Sequence, residues 1–339
     1  MKSFFRIFPF FVVILLACGH RSSFRQANFL IEWEWKTPKN AFIQTANILH
    51  SNILVTLNTG EIAIFPVERP SSIQKFFLPL EGIIKILWLT NFSNTFYGLA
   101  WTTTGSSQNL LWFSTDMDIQ PIPSSQTNTN KLAVTPLSSL AYKEIYGVWY
   151  DQETLFWAAD NTLFFVFLTN AIPPREFMTL SFPYPYRISS ALKYENVLYI
   201  AQGEKGLTLL DLKRKRITNY SWIIGSIESL ALIEKEQILI MADRINGVRA
   251  YSIQNPWKPE FVAVYEALGN TLDVALSPNG LWLADQYNGI SLLKFENRTF
   301  SLLTNIPGRV VSHLLPLSDK GKLLLWHQDN LLLTSVNVP

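Results

Sequence analysis

The sequence predicts an all-β fold, a seven-bladed β-propeller of four-stranded antiparallel blades closed by a strand from the N-terminal end. Three observations lead there. The chain repeats itself at an interval of roughly 42 residues. The apolar runs inside each repeat are short and β-rich. One strand-like segment is left over before the first complete repeat.

The repeat is plainest in Leu198–Leu212, Leu239–Ile253 and Leu281–Phe295, where Ala201, Ala242 and Ala284 form one column and Gly206, Gly247 and Gly289 another. Each copy reads as strand, tight turn, strand. Stepping back from Ala201 reaches Ala159; earlier copies begin at Ile53 and Phe96, and a later one at Leu323, giving seven. Two further apolar segments accompany each hairpin, such as Ile217–Ile224 and Ser226–Ile233, so four strands fill the period. The runs are apolar on consecutive positions. Strands covered on both faces have that pattern, which favours sheets stacked radially against one another over a two-sheet sandwich.

The chain stops at Pro339, after the third strand of the last copy. Phe29–Lys36 (FLIEWEWK) is therefore expected to pair beside Leu331–Val336 and supply the missing strand. The interval from Ala100 to Ala159 is 59 residues, about 17 beyond the period, and the excess lies in Asp116–Ser139, rich in Pro, Ser, Thr and Asn. Both Ile119–Ile122 and Lys131–Leu137 suit an outer strand, which leaves open the side of the disc that carries the insertion. Thr102–Gln108 reads as a stretched polar loop between second and third strands.

At the N-terminus, Lys2 and Arg6 precede an apolar run, Ile7–Leu16, and Leu15-Leu16-Ala17-Cys18 ends it. This is a secretory signal, too short to span a membrane. It resembles the lipobox of bacterial lipoproteins, which implies residues 1–17 as signal peptide, acylation of Cys18, residues 18–28 as a polar tether and 29–339 as the propeller. Two or more acyl chains, at ~0.8 kcal/mol per buried CH₂, would hold the protein on a membrane. Gly19 after the cysteine points, by resemblance to the enterobacterial sorting rule, to the outer rather than the inner membrane. The formal charge of +2 falls to zero once Lys2 and Arg6 are removed, so no basic field remains for nucleic acid. Cys18 is the only cysteine, so stability must come from burial, for which 48% hydrophobic and 14% aromatic residues are ample.

The columns of Leu198–Leu212, Met241-Ala242-Asp243 with Asn246-Gly247-Val248, and Leu283-Ala284-Asp285 with Asn288-Gly289-Ile290 resemble the repeats called LVIVD, found in predicted surface or secreted propellers. Asn255-Pro256-Trp257-Lys258-Pro259 resembles the link that follows the third strand. The match covers about residues 190–300; Trp326 replaces the alanine and Thr162 the glycine elsewhere. The resemblance implies a propeller and carries no activity with it. The WD, sialidase and kelch signatures are absent from the sequence.

Asp160, Asp243, Asp285 and Asp329 end second strands. They read either as turn formers, bonding the backbone two residues on, or as a circle of carboxylates able to hold a cation. His20, His50, His313 and His327 lack metal-ligand spacing; His313 sits in an inner-strand candidate, Val311–Leu317, as a core residue or a liner of the central channel. No nucleophile elbow, phosphate loop or zinc-protease motif occurs. Tyr184 and Tyr186 in Phe182–Tyr186, with Thr102, Arg244, Gln286 and Tyr287, would emerge on one face as partner-binding candidates, the alternative for the tyrosines being local packing.

The sequence thus points to a membrane-anchored, non-catalytic binding scaffold of the bacterial envelope, without cofactor apart from the lipid, recognising a protein partner through one propeller face. The competing reading is an enzyme or carbohydrate-binding protein with a pocket at the central channel. An aromatic face favours the first and a deep polar channel the second.

Overall fold

The computed structural model describes residues 28–49, 52–68, 70, 74–77, 83–92, 95–104, 107–116, 132–136, 145–151, 154–159, 162–167, 178–181, 188–214, 216–220, 225–317 and 321–337. Residues 1–27, which hold the expected signal peptide, Cys18 and most of the expected tether, lie outside them, as do Asp160, Tyr184 and Tyr186.

Strand β1 (Asn28–Lys36) stands apart from its sequence neighbours. The first sheet holds β2 (Ile43–Leu49), β3 (Asn52–Leu57), β4 (Glu61–Pro66) and β5 (Gln74–Phe77), and the second holds β6 (Ile83–Phe92), β7 (Thr95–Thr104), β8 (Ser107–Asp116) and β9 (Leu132–Pro136). Next come β10 (Ile145–Asp151), β11 (Thr154–Ala159), β12 (Thr162–Phe167) and β13 (Met178–Ser181), then β14 (Ser190–Tyr194), β15 (Val197–Ala201), β16 (Leu207–Asp211) and β17 (Arg216–Tyr220). A further sheet is β18 (Ser229–Ile233), β19 (Ile238–Ala242), β20 (Val248–Ser252) and β21 (Glu260–Tyr265). It is followed by β22 (Thr271–Ser277), β23 (Gly280–Asp285), β24 (Gly289–Glu296) and β25 (Thr299–Ile306). The last sheet is β26 (His313–Leu317), β27 (Lys322–His327) and β28 (Asn330–Asn337), with β1 on its outer edge. Every pairing is antiparallel, and a single 3-10 turn at Glu234–Glu236 is the one helical element among the described residues.

The consecutive apolar runs are explained by what lies on each side of a strand. In β19, Leu239 and Met241 pack towards Tyr199 and Leu209 of the preceding sheet, while Ile238, Ile240 and Ala242 pack towards Val274, Leu281 and Leu283 of the following one. Trp282 and Leu292 then meet Leu323, Leu325 and Leu332, and Leu324, Leu331 and Leu333 meet Ile53, Val55 and Phe65. The core is divided among the gaps between sheets. Each gap removes both partners' apolar surface from water.

The innermost strands β2, β6, β10, β14, β18, β22 and β26 follow one another around an axis, and β27 of the last sheet lies against β2 of the first. The expected closure is observed: β1 pairs with β28, Phe29 opposite Val336 and Lys36 opposite Asn330, with a bulge at Glu32. The bulge breaks the alternation of FLIEWEWK, so that Ile31 packs on the preceding sheet and Trp33 and Trp35 on the first. Trp33 and Trp35 turn inward onto Phe65 of the neighbouring sheet, with ring centroids 4.6 and 4.9 Å away. Glu32 and Glu34 turn outward, pairing with Lys322 and receiving a hydrogen bond from Asn330 (3.1 Å). Charged residues on an outermost strand also discourage edge-to-edge association.

One expectation changes and one open point is decided. The Thr102–Gln108 loop is largely strand: β7 runs to Thr104 and β8 starts at Ser107, with Thr102 opposite Asn109 and Thr103 opposite Gln108. Threonine suits extended backbone, so the strands continue through the polar stretch. The outer strand of that sheet is Leu132–Pro136, paired with β8, so the additional residues fall between third and fourth strands.

Candidate functional site

The site begins with the turns that join second to third strands. Asn246-Gly247 and Asn288-Gly289 close two of them, with glycine φ values of +74° and +84°. The aspartates ahead of these turns do more than start them. Asp243 Oδ1 accepts a hydrogen bond from Ser226 N (2.7 Å), and Asp285 Oδ2 one from Gly269 N (3.1 Å); in the first sheet Asn58 Oδ1 accepts one from Phe42 N (2.8 Å). In all three cases the hairpin clasps the segment that enters the innermost strand of its own sheet. Asp243 and Asp285 are almost fully buried, and their carboxylates serve these backbone donors. No group of three His, Cys, Asp or Glu side chains among the described residues is placed to hold a metal ion.

The two clasps differ in charge balance. Arg249 Nε lies 3.1 Å from Asp243 Oδ2, whereas Asp285 has no cationic partner among its contacts. Burial raises the pKa of Asp285, opposed by hydrogen bonds from Gly269 N and the Asn288 side chain. The folded state therefore holds this proton more tightly than the unfolded chain. Its contribution to stability is complete below the unfolded value of 3.8 and is lost as pH rises through the folded value. Asp285→Asn is expected to keep the clasp, as Asn58 does, and to leave Tm at pH 7 equal or higher with a flatter stability–pH curve. Asp243→Asn strands Arg249 and should cost about 1–3 kcal/mol. Thermal unfolding of both variants between pH 4 and pH 8 checks the contrast.

One residue further on, backbone bridges cross from three of the hairpins to the next sheet. Gly203 exchanges hydrogen bonds with Ile227 (3.0 and 3.1 Å), Arg244 O accepts from Thr271 N (3.1 Å), and Gln328 O accepts from Ile43 N (2.7 Å). The position takes a positive φ: +55° at Gly203, +31° at Arg244 and +47° at Gln328. Glycine suits this backbone; arginine is held there at a conformational cost of about 1–2 kcal/mol.

Arg244 is thereby fixed at the mouth of the central channel, on the rim of a cavity of about 510 Å³. Inner-strand ends supply Ser190, Glu228, Asp273 and His313, and a second hairpin supplies Gln286. Arg244 Nε donates to Glu228 Oε1 (2.6 Å), which also accepts from Ser226 Oγ (3.1 Å). Asp273 accepts from Ser229 Oγ (2.6 Å), Val274 N (2.9 Å) and Leu314 N (3.0 Å), and His313 Nδ1 lies 3.8 Å from it. The His313 ring stacks on Trp326. Behind it, Ser312 Oγ is bonded to His327 Nδ1, and burial, then His313, lowers the pKa of His327, against Asp329, which raises it.

His313, read as a channel candidate, and Arg244 and Gln286, read together as candidates on one face, are thus brought to one cavity, with His313 lining it rather than filling the core. Tyr287 lies beside it, 70% exposed. Thr102 is a correction: it is 2% exposed within β7 and offers a partner nothing. Glu228 and Asp273 were missed, because neither lies in the repeated hairpin. Phe42, Ile245, Leu268 and Val310 are also exposed. All five of these apolar residues stand on hairpin turns or on links entering an innermost strand, which places them on one face.

No protein-family model matches the chain, and no curated protein matches it. Among solved structures it is similar to a chain of the "Crystal Structure of Mitotic Checkpoint Complex", with a TM-score of 0.67 over 98% of each chain at 11% identity. The chain is a β-propeller. It is also similar to the computationally designed Ika8 protein, with a TM-score of 0.56 over 90% of this chain and 98% of that one at 10% identity. At these identities the likeness concerns the fold alone.

Proposed function

We propose that the protein is a non-catalytic binding scaffold whose seven four-stranded sheets act as blades of one ring, presenting the channel-mouth face to a protein partner. The observation that carries this reading is that exposed Phe42, Ile245, Leu268, Tyr287 and Val310 all stand on the face that carries the channel mouth. Apolar and aromatic residues on a rigid frame are the usual anchors of a protein interface. Propellers commonly serve as interaction scaffolds, and the similar chain named above belongs to a protein complex. Cys18, through its lipobox-like setting, would carry acyl chains and hold the propeller in a bacterial envelope, at the outer membrane, as an LVIVD-like lipoprotein. The test is co-purification from gently cross-linked cells. A defined set of envelope proteins should accompany the wild type, fall about tenfold with Ile245→Glu and Tyr287→Glu together, and change with Cys18→Ala. An unchanged set with the paired glutamates would reject the face.

A further inference from the structure

We infer that the channel mouth is itself a binding site, for a small, neutral, polyhydroxylated ligand of the mono- or disaccharide class. The inference stands apart from the protein-binding reading, because it concerns the polar socket and not the apolar rim. The cavity, about 510 Å³, falls within the roughly 300–1,000 Å³ of small-molecule sites. Leu272 is its one apolar lining residue, which disfavours a lipid or an aromatic ligand.

The charges exclude ions as the preferred guest. Arg244 is matched by Glu228 at 2.6 Å, and Asp273 is turned into the wall by three donors, with His313 at 3.8 Å. A free anion or cation would therefore compete with a counter-charge already in place. Hydroxyl groups need no such vacancy, since each can donate and accept. Among the described residues the Arg244 fork is engaged through Nε and still offers its terminal N–H groups; Asn270 donates weakly to Gln286 Oε1 (3.4 Å), which leaves the Gln286 NH₂ and the Asn270 carbonyl oxygen for a guest.

The site is also held still. The arginine sits at φ +31° in a position that the preceding hairpin fills with Gly203, and its carbonyl is bonded to the next sheet. Strain retained where glycine would serve marks a functional side chain, and a fixed donor loses less freedom on binding.

The experiment is saturation-transfer NMR on the purified propeller. The neutral probes are methyl glucoside, methyl mannoside, lactose and chitobiose; citrate and putrescine are the charged ones. At least one saccharide should bind saturably, with neither charged probe displacing it. Arg244→Gly suits the local backbone but leaves Glu228 without its cation; unfolding should stay cooperative, with Tm lowered by a few degrees at most, while that saccharide is weakened about tenfold. Arg214→Ala, at an exposed site on another hairpin, should not alter it. The inference is overturned if none of the four saccharides binds, if citrate or putrescine binds in their place, or if Arg244→Gly binds as tightly as wild type. Any of these would leave the rim-dependent partner result intact.

Discussion

A chain lacking residues 28–36 is expected to lose cooperative unfolding altogether and to aggregate when refolded. β1 has two duties at the weakest point of the ring. It pairs with β28 along its whole length, and it sets Trp33 and Trp35 on Phe65 of the first sheet. Without it, the unpaired backbone of a strand containing Leu331, Leu332 and Leu333 faces solvent, which is a template for association. Phe65, fully buried, is uncovered at the same time. Trp33→Ala with Trp35→Ala leaves the pairing in place and should cost about 3–5 kcal/mol, with the transition still cooperative. Circular dichroism and light scattering on heating separate the two outcomes. A deletion that melted like the wild type would mean the ring does not depend on this strand.

Gly289→Ala should be among the most damaging single-methyl additions at the described residues, at about 3 kcal/mol or more. At φ +84° an added Cβ would stand 2.0 Å from Ile306 O and 3.1 Å from Pro307 Cα. Backbone, not a movable side chain, blocks it. Gly247 repeats the arrangement, with Tyr265 O at 2.1 Å. Thermal unfolding should show Tm lowered by about 5–10 °C in either variant. Gly308→Ala is the contrast, because its φ of +95° is unfavourable but nothing lies within 4 Å of the new atom, so only about 1 kcal/mol is expected.

These two cases show what the sequence makes legible. Asn-Gly between apolar runs announces a tight turn, and a spare strand at one end with a missing one at the other announces a closure; both are local patterns or simple arithmetic of strands. The polar stretch Thr102–Gln108 misled because polarity suggests a loop while threonine prefers extended backbone, and the tertiary pairing decided for the strand. The aspartate clasps were illegible for another reason. Their donors are backbone N–H groups 16 or 17 residues upstream, and every residue but proline has one. The available signal was the glycine: Gly225 ahead of Ser226, and Gly269 itself, where a Cβ would fall 2.0 and 2.2 Å from the carboxylate oxygens of Asp243 and Asp285. Glu228 and Asp273 became visible only when the innermost strands were set side by side, since their partners Arg244 and His313 lie on other strands or other sheets.

The face assignment is the central claim, and a photo-cross-linking residue introduced at Leu268 tests it most directly. Leu268 is 91% exposed in the link before β22, on the channel-mouth face; Leu276, 37% exposed near the far end of the same strand, serves the opposite face. Irradiated cells should yield a discrete protein adduct from position 268, lost when Tyr287→Glu is added, and none from position 276. An adduct from position 276 with none from position 268 would contradict the account.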